Sequence, residues 1–104
     1  MEERDYYIIL YDLYSSLFSV KQKEYFEDYY FNNLSLSEIS ENVGVSRNAI
    51  HKSIKSIEKK LLFYEDNLKL YKKNLEVNNI IKDINDKNIR KKLEGIFYEW
   101  WIKF

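Results

Sequence analysis

A single apolar stripe through residues 46–75 limits the folds that this chain can adopt. Its apolar side chains recur in alternating steps of four and three residues, at Ile50, Ile54, Ile57, Leu61, Tyr64, Leu68, Tyr71 and Leu75. This spacing is that of one face of an α-helix, and it approaches the period of a coiled-coil seam. Because the segment contains neither Gly nor Pro, the pattern predicts one continuous helix about 45 Å long. Such a helix is longer than the core of a small domain requires, so we expect one end to reach a partner.

The residues before the stripe have the features of a helix-turn-helix motif. Ser35 is placed to cap a short helix over residues 36–42, and Glu38, three residues later, completes a capping box. Gly44 follows, and a turn between crossed helices requires a residue that tolerates positive φ. Ser46 is placed to cap the second helix. The segment therefore predicts two crossed helices joined at Gly44.

The polar face of the second helix is basic, and we predict that it binds DNA. Arg, Asn and Lys side chains contact base edges and phosphates, and a recognition helix presents them from its first turns. The predicted base contacts are Arg47, Asn48, His51 and Lys52, and the predicted phosphate contacts are Ser37, Ser46, Lys55 and Lys59. Only Glu58 interrupts this charge, whereas Val45, Ala49 and Ile50 are expected to pack inward. The alternative is a solvated basic face on a structural helix.

The composition favours an all-α protein of a reducing compartment. The 104 residues include no Cys, no Pro and two Gly, so disulfides are excluded and helices can run almost uninterrupted. The apolar run from Tyr6 to Val20 is too short to span a bilayer. Its flank, Glu2 to Asp5, is acidic, whereas a signal peptide begins with a basic region. We therefore expect a core helix of a cytoplasmic protein with no membrane partner.

No group of residues points to catalysis. His51 is the single histidine, and no Ser is placed to form a nucleophilic pair with it. Glu27 and Asp28 have no second acidic cluster beside them that would complete a metal site, and the two glycines belong to no phosphate-binding loop. We therefore expect no enzyme activity, no metal and no cofactor.

Charge is divided unevenly along a chain that is neutral as a whole. Residues 1–45 hold three Lys/Arg and nine Asp/Glu, whereas residues 46–104 hold 14 Lys/Arg and eight Asp/Glu. The positive second half favours a polyanion such as double-stranded DNA as the partner. The alternative is that the acidic half neutralises the basic half across a dimer.

The chain has more apolar surface than one small core is expected to bury, which predicts a homodimer. The first helix, predicted over residues 6–18, has a second aromatic row, Tyr7, Tyr11, Tyr14 and Phe18, of which Tyr7, Tyr11 and Phe18 are expected to stay exposed. Asn85 or Asp86 is placed to cap the final helix, after a weak point at Asn78 and Asn79. We predict a helix-turn-helix domain over residues 1–75 and a C-terminal helical segment over residues 76–104 that packs or dimerises. The predicted interface comprises Tyr7, Tyr11, Phe18, Leu68, Tyr71, Leu75, Phe97, Trp100 and Trp101. One alternative is that both apolar rows of the first helix form a single broad core stripe, with the tyrosine hydroxyls reaching water. The other alternative is a monomer in which the final helix covers both rows of the first helix.

Four segments of the chain together resemble the YlxM family, small bacterial proteins whose helix-turn-helix is similar to region 4 of sigma factors. They are Leu10 to Tyr14, Lys21 to Phe26, Leu34 to Ser40 and Val43 to Ile50. The resemblance spans roughly residues 4–75, and the last 30 residues carry no segment typical of the family. It implies a sequence-specific DNA-binding fold. It also implies a link to the signal recognition particle pathway, because family members are encoded beside components of that pathway.

Two functions of different classes follow from these observations. The first is a dimeric DNA-binding regulator of transcription. The second is a protein- or RNA-interaction component of the signal recognition particle pathway without sequence-specific DNA binding, and the overall neutrality of the chain favours it slightly. The salt dependence of binding distinguishes them, because contacts to DNA phosphates weaken steeply as salt rises.

Overall fold

The computed structural model describes residues 1–96, and within this range the chain forms helices, turns and no strand. The six α-helices are α1 (Glu3–Tyr14), α2 (Val20–Tyr30), α3 (Leu36–Val43), α4 (Arg47–Leu68), α5 (Leu70–Lys82) and α6 (Lys87–Ile96). A 3-10 turn at Ser15–Leu17 follows α1. The predicted all-α class is therefore confirmed. The helices belong to two compact units, Met1–Asn67 and a second that begins at Leu68.

Side-chain caps define the starts of α2, α3 and α4. Ser19 and Gln22 form a capping box on α2, because the Ser19 hydroxyl accepts from the Gln22 N–H and the Gln22 side chain accepts from the Ser19 N–H. Ser35 and Glu38 form the same pair of bonds on α3, at 3.0 and 3.1 Å. The Ser46 hydroxyl accepts from the Ala49 N–H at 3.1 Å and caps α4. The predicted caps of the helix-turn-helix are thus confirmed.

The core of the first unit is rich in aromatic rings from α1 and α2. Tyr11 stacks on Phe26 with ring centroids 4.1 Å apart, and Tyr7 meets the edge of Tyr30. Phe18, just after the 3-10 turn, packs against Tyr64 of α4. Tyr7, Tyr11 and Phe18 are 8%, 5% and 6% exposed. The expectation that this row stays exposed for a dimer partner was therefore wrong, because its rings complete the core of the same chain.

Buried glutamates on α4 accept hydrogen bonds from tyrosines of the first two helices. The Tyr14 hydroxyl donates to Glu65 at 2.7 Å, and the Tyr30 hydroxyl donates to Glu58. Both glutamates are buried. A buried carboxylate costs free energy unless hydrogen bonds compensate it, so these bonds allow two acidic residues to lie on the inner side of α4. They also tie α1 and α2 to α4.

The helix predicted to be continuous over residues 46–75 is interrupted at Lys69. This residue has φ 56° and ψ 34°, the left-handed conformation, between α4 and α5. Before it, the Asn67 side-chain amide donates to the Phe63 carbonyl at 2.8 Å, and such a bond competes with backbone pairing near a helix end. The absence of Gly and Pro was not sufficient to keep the helix continuous. The expected weak point at Asn78 and Asn79 was also wrong, since α5 extends to Lys82.

The last described helix, α6, begins where the sequence indicated. The Asp86 carboxylate accepts from the backbone N–H groups of Asn88 and Ile89, at 2.9 and 3.2 Å. None of the residues of α6 is buried, and Ile89 and Ile96 are exposed on its apolar stripe. The predicted interface residues Phe97, Trp100 and Trp101 lie outside the described residues.

No helix within residues 1–96 is long and apolar enough to cross a membrane.

Candidate nucleic-acid interface

The turn between α3 and α4 is built as the motif predicts. Gly44 has φ 75° and ends α3 in the left-handed conformation, where its N–H donates to the Ser40 carbonyl at 2.9 Å. The Ser40 hydroxyl donates to the Val45 carbonyl at 2.5 Å. These bonds hold the turn at both ends. A β-carbon on Gly44 would meet no atom within 4 Å, so the backbone conformation, and not crowding, favours glycine here.

All eight residues predicted to contact DNA are exposed. Six of them lie on α4 and one, Ser46, immediately precedes it, whereas Ser37 lies in the first turn of α3. Ile50, Ile54, Ile57 and Leu61 on the opposite side of α4 are at most 2% exposed. The structure therefore brings seven of the eight residues together along one helix and leaves Ser37 on its neighbour. Their contact with DNA stays a prediction.

Glu58, which was expected to interrupt the basic face, points inward. Its side chain is 9% exposed and accepts the hydrogen bond from the Tyr30 hydroxyl. The Lys55 Nζ approaches a Glu58 carboxylate oxygen to 3.3 Å from the solvent side. Because Glu58 is buried, the exposed charged residues of α4 from Arg47 to Lys60 are all cations, and they are Arg47, Lys52, Lys55, Lys59 and Lys60.

Three residues on the exposed face of α4 were missed in the sequence analysis. Ser56, Lys60 and Phe63 line a shallow groove together with His51, Lys52, Lys55 and Lys59. The Phe63 side chain is 63% exposed. Helical spacing was sufficient to find Ser56 and Lys60, because they follow Lys52 at intervals of four residues. The exposure of Phe63 was not apparent, since an aromatic residue next to a core stripe is usually buried.

Ala49 was predicted to face inward and is instead exposed. It lies on the side of α4 that faces α2, in a groove lined also by Lys21, Tyr25, Val45 and Ser53. The crossing of α3 and α4 thus does not require a small residue at this position. Ala49 belongs to the exposed surface of α4.

The start of α3 is less favourable for binding a phosphate than the start of α4, because it carries a negative charge. The backbone and side-chain hydrogen bonds from Ser35 lower the pKa of Glu38, so this carboxylate is ionised at neutral pH. Glu38 follows Ser37 directly and shares the first turn of α3 with it. A phosphate bound at Ser37 would lie near this negative charge, whereas a phosphate at the first turns of α4 would lie near the exposed cations Arg47 and Lys52.

The site contains no group suited to a metal. Within residues 1–96 no three His, Asp or Glu side chains come together as a set of metal ligands. The side chains on this surface offer hydrogen bonds, positive charge and the exposed ring of Phe63.

The chain matches the family model UPF0122, which describes helix-turn-helix proteins of the YlxM / p13 type, over residues 1–97. The UPF0122 protein of Ureaplasma urealyticum serovar 10 is 44% identical over 94 residues, covering 90% of this chain and 95% of the relative. That of Fusobacterium nucleatum is 47% identical over 91 residues, covering 84% and 88%. That of Malacoplasma penetrans is 48% identical over 82 residues, covering 78% and 76%. The chain therefore belongs to the UPF0122 family of YlxM / p13-like helix-turn-helix proteins.

Proposed function

We propose that this chain is a sequence-specific DNA-binding protein that regulates transcription in the cytoplasm. The observation that carries the proposal is the exposed face of α4, which bears five cations between Arg47 and Lys60 and no exposed carboxylate. Cations on one face of a helix release counterions from DNA phosphates, which supplies affinity. Glu58 is buried beneath this face and offsets part of the charge of Lys55, whose Nζ lies 3.3 Å away, so the other four cations supply most of the positive charge of the face.

The order of side chains along α4 supports contact with both bases and phosphates. A recognition helix contacts base edges mainly through its N-terminal residues, and Arg47, Asn48 and His51 occupy the first turns of α4. Arg forms bidentate bonds with guanine, and Asn does so with adenine. Lys55 and Lys59 lie one to two turns further along α4, where a straight helix leaves the major groove of DNA and meets the phosphate backbone. The first turns therefore supply specificity and the later ones affinity.

We also propose that the protein binds DNA as a homodimer through its second unit. Among the described residues of this unit, large apolar side chains are exposed at Leu68, Leu75, Ile80, Ile89 and Ile96. Exposed apolar side chains that form a contiguous patch are typical of a protein–protein interface. A two-fold dimer would present two recognition helices to two half-sites about 34 Å apart, or a multiple of that distance. Tyr7, Tyr11 and Phe18 are buried in the first unit and do not belong to this interface.

Selection of DNA from a random duplex pool tests the proposed function. The wild-type chain is expected to enrich a defined sequence with two related half-sites. Arg47→Ala is expected to weaken binding to that sequence by about 1–3 kcal/mol and to relax specificity at one position. The control is Lys91→Ala on α6, which removes one exposed positive charge outside the proposed recognition helix. Failure of the wild-type chain to enrich any sequence would overturn the proposal.

The second candidate is an interaction component of the signal recognition particle pathway that binds protein or RNA. The net charge of zero favours it, since DNA-binding domains are more often basic. The same selection performed in parallel with random single-stranded RNA separates the two functions. Enrichment of RNA with no enrichment of duplex DNA would favour the second candidate.

A further inference from the structure

The groove beside the first turns of α4 has both apolar and polar side chains in its lining, with Ser19 and Gln22 among the polar ones. Ala49 and the half-buried Val45 supply methyl groups, and Tyr25 of α2 supplies an aromatic ring. Lys21 and Ser53 lie at the same groove, the first on α2 and the second on α4. The groove therefore offers an apolar contact and a cation within one small area.

We propose that this groove binds one thymidine nucleotide of the DNA site, with Ala49 contacting the 5-methyl group of the base and Lys21 contacting its phosphate. The inference rests on the proposed function and deepens it, because it names a specificity-determining residue of the recognition helix. Thymine is the base that presents a methyl group in the major groove, and apolar side chains such as Ala contact it.

The methyl side chain of Ala49 favours thymine over the other bases at its own position in the groove. A guanine or an adenine presents hydrogen-bonding atoms to the major groove, and a methyl side chain such as that of Ala49 offers no partner to them. The thymine methyl group lies near the edge of the groove, close to the sugar–phosphate backbone of its own strand. A nucleotide with a methyl group beside an anion thus complements Ala49 beside Lys21.

Lys21 is the lysine of α2 that lines this groove. Lys21 lies over the Tyr25 ring, with its Nζ 5.9 Å from the ring centroid, which keeps the ammonium group near the groove. Lys23, two residues later on α2, does not line the groove. It therefore serves as a matched control for the charge of Lys21.

The test replaces single thymines by deoxyuridine, which differs by the methyl group alone, in the duplex that the wild-type chain selects from a random pool. Burial of one methyl group stabilises by about 0.8 kcal/mol, which corresponds to about fourfold in affinity. We expect a loss of about fourfold at one thymine of each half-site with the wild-type chain, and no loss at that position with Ala49→Gly. Lys21→Gln is expected to lower the salt dependence of log affinity by about 1, whereas Lys23→Gln leaves it unchanged.

The outcomes separate this inference from the function on which it rests. Absence of any selected duplex would overturn the proposed function itself. A selected duplex that tolerates deoxyuridine at every thymine, or that contains no thymine in its half-sites, would overturn the inference alone. So would an equal loss with the wild-type chain and with Ala49→Gly, measured on variants whose circular dichroism matches that of the wild type. The scan on the wild-type chain needs no variant, so a folding defect in Ala49→Gly does not affect it.

Discussion

The hydroxyl of Tyr30 on α2 donates a hydrogen bond to the buried carboxylate of Glu58 on α4. Lys55 approaches the same carboxylate from the solvent side at 3.3 Å. This bond therefore connects the core to the exposed face of α4. It also holds the Glu58 carboxylate beneath the surface that we propose to bind DNA, where this carboxylate offsets part of the charge of Lys55.

Removal of the Tyr30 hydroxyl is expected to destabilise the fold. Tyr30→Phe leaves the buried Glu58 carboxylate without its donor, which should lower the free energy of unfolding by about 1–3 kcal/mol. Tyr29→Phe is the matched control, because Tyr29 is the adjacent tyrosine and is half-buried. Urea unfolding followed by circular dichroism measures both variants. Equal stability of the two variants would contradict the importance of the buried bond.

The same tyrosine predicts a loss of stability at alkaline pH. Burial, and then the hydrogen bond to Glu58 and its charge, raise the pKa of Tyr30 above the usual value of 10.0. Because the folded-state pKa is raised, the stabilisation is fully present below about pH 10 and is lost as the pH rises further.

Unfolding free energies between about pH 8 and pH 11.5 test this dependence. The wild-type curve is expected to fall more steeply above about pH 10 than the curve of Tyr30→Phe, which lacks the titrating group. The other ionisable groups are the same in both proteins, so their effects cancel in the difference. Parallel curves would contradict the prediction.

The turn at Gly44 is expected to tolerate no side chain without a cost. Gly44→Ala places a β-carbon on a residue with φ 75°, which should destabilise the fold by about 1–2 kcal/mol. Gly95→Ala is the contrasting control, because Gly95 lies within α6 with no atom near its β-position. It should stabilise α6 by up to about 1 kcal/mol. A neutral Gly44→Ala variant, measured by urea unfolding, would show that the turn does not require positive φ.

The local elements of the motif could be predicted from the sequence, because short-range chemistry determines them. Ser35 with Glu38, and Ser46 before α4, each satisfy backbone N–H groups within three residues. Gly44 supplies a conformation that other residues adopt at a cost. Partners three residues apart are visible in one sequence, so these assignments did not depend on tertiary contacts.

The orientation of Glu58 and the burial of the first-helix aromatic row could not be predicted in this way. Glu58 points inward because Tyr30, 28 residues earlier, donates to it. Tyr11 is buried because Phe26 and Phe31 cover its ring. These partners are distant in sequence, and helical spacing alone does not indicate which face of a two-faced helix meets solvent. The left-handed conformation of Lys69 could not be predicted either, because lysine is not a residue type that indicates positive φ.

The proposed homodimer is expected to depend on the exposed apolar stripe of α6. Sedimentation equilibrium at micromolar concentration should detect a species of twice the 12.8 kDa chain mass. Ile89→Ser with Ile96→Ser should weaken association, because both side chains are exposed in the single chain. Val20→Ser is the control, since Val20 is 83% exposed in the first unit. A single species near 12.8 kDa for the wild-type chain would contradict the dimer.

The salt dependence of affinity for the selected duplex tests the central claim most directly. Each phosphate contact contributes about 0.9 to the slope of log affinity against log salt. The double variant Lys59→Gln with Lys60→Gln, on the exposed face of α4, should therefore make this negative slope shallower by about 1.8. Lys91→Gln with Lys92→Gln makes the same change in net charge on α6 and should leave the slope unchanged. Equal slopes for the wild-type chain and the Lys59/Lys60 variant, or a wild-type affinity that does not change with salt, would contradict DNA binding by α4.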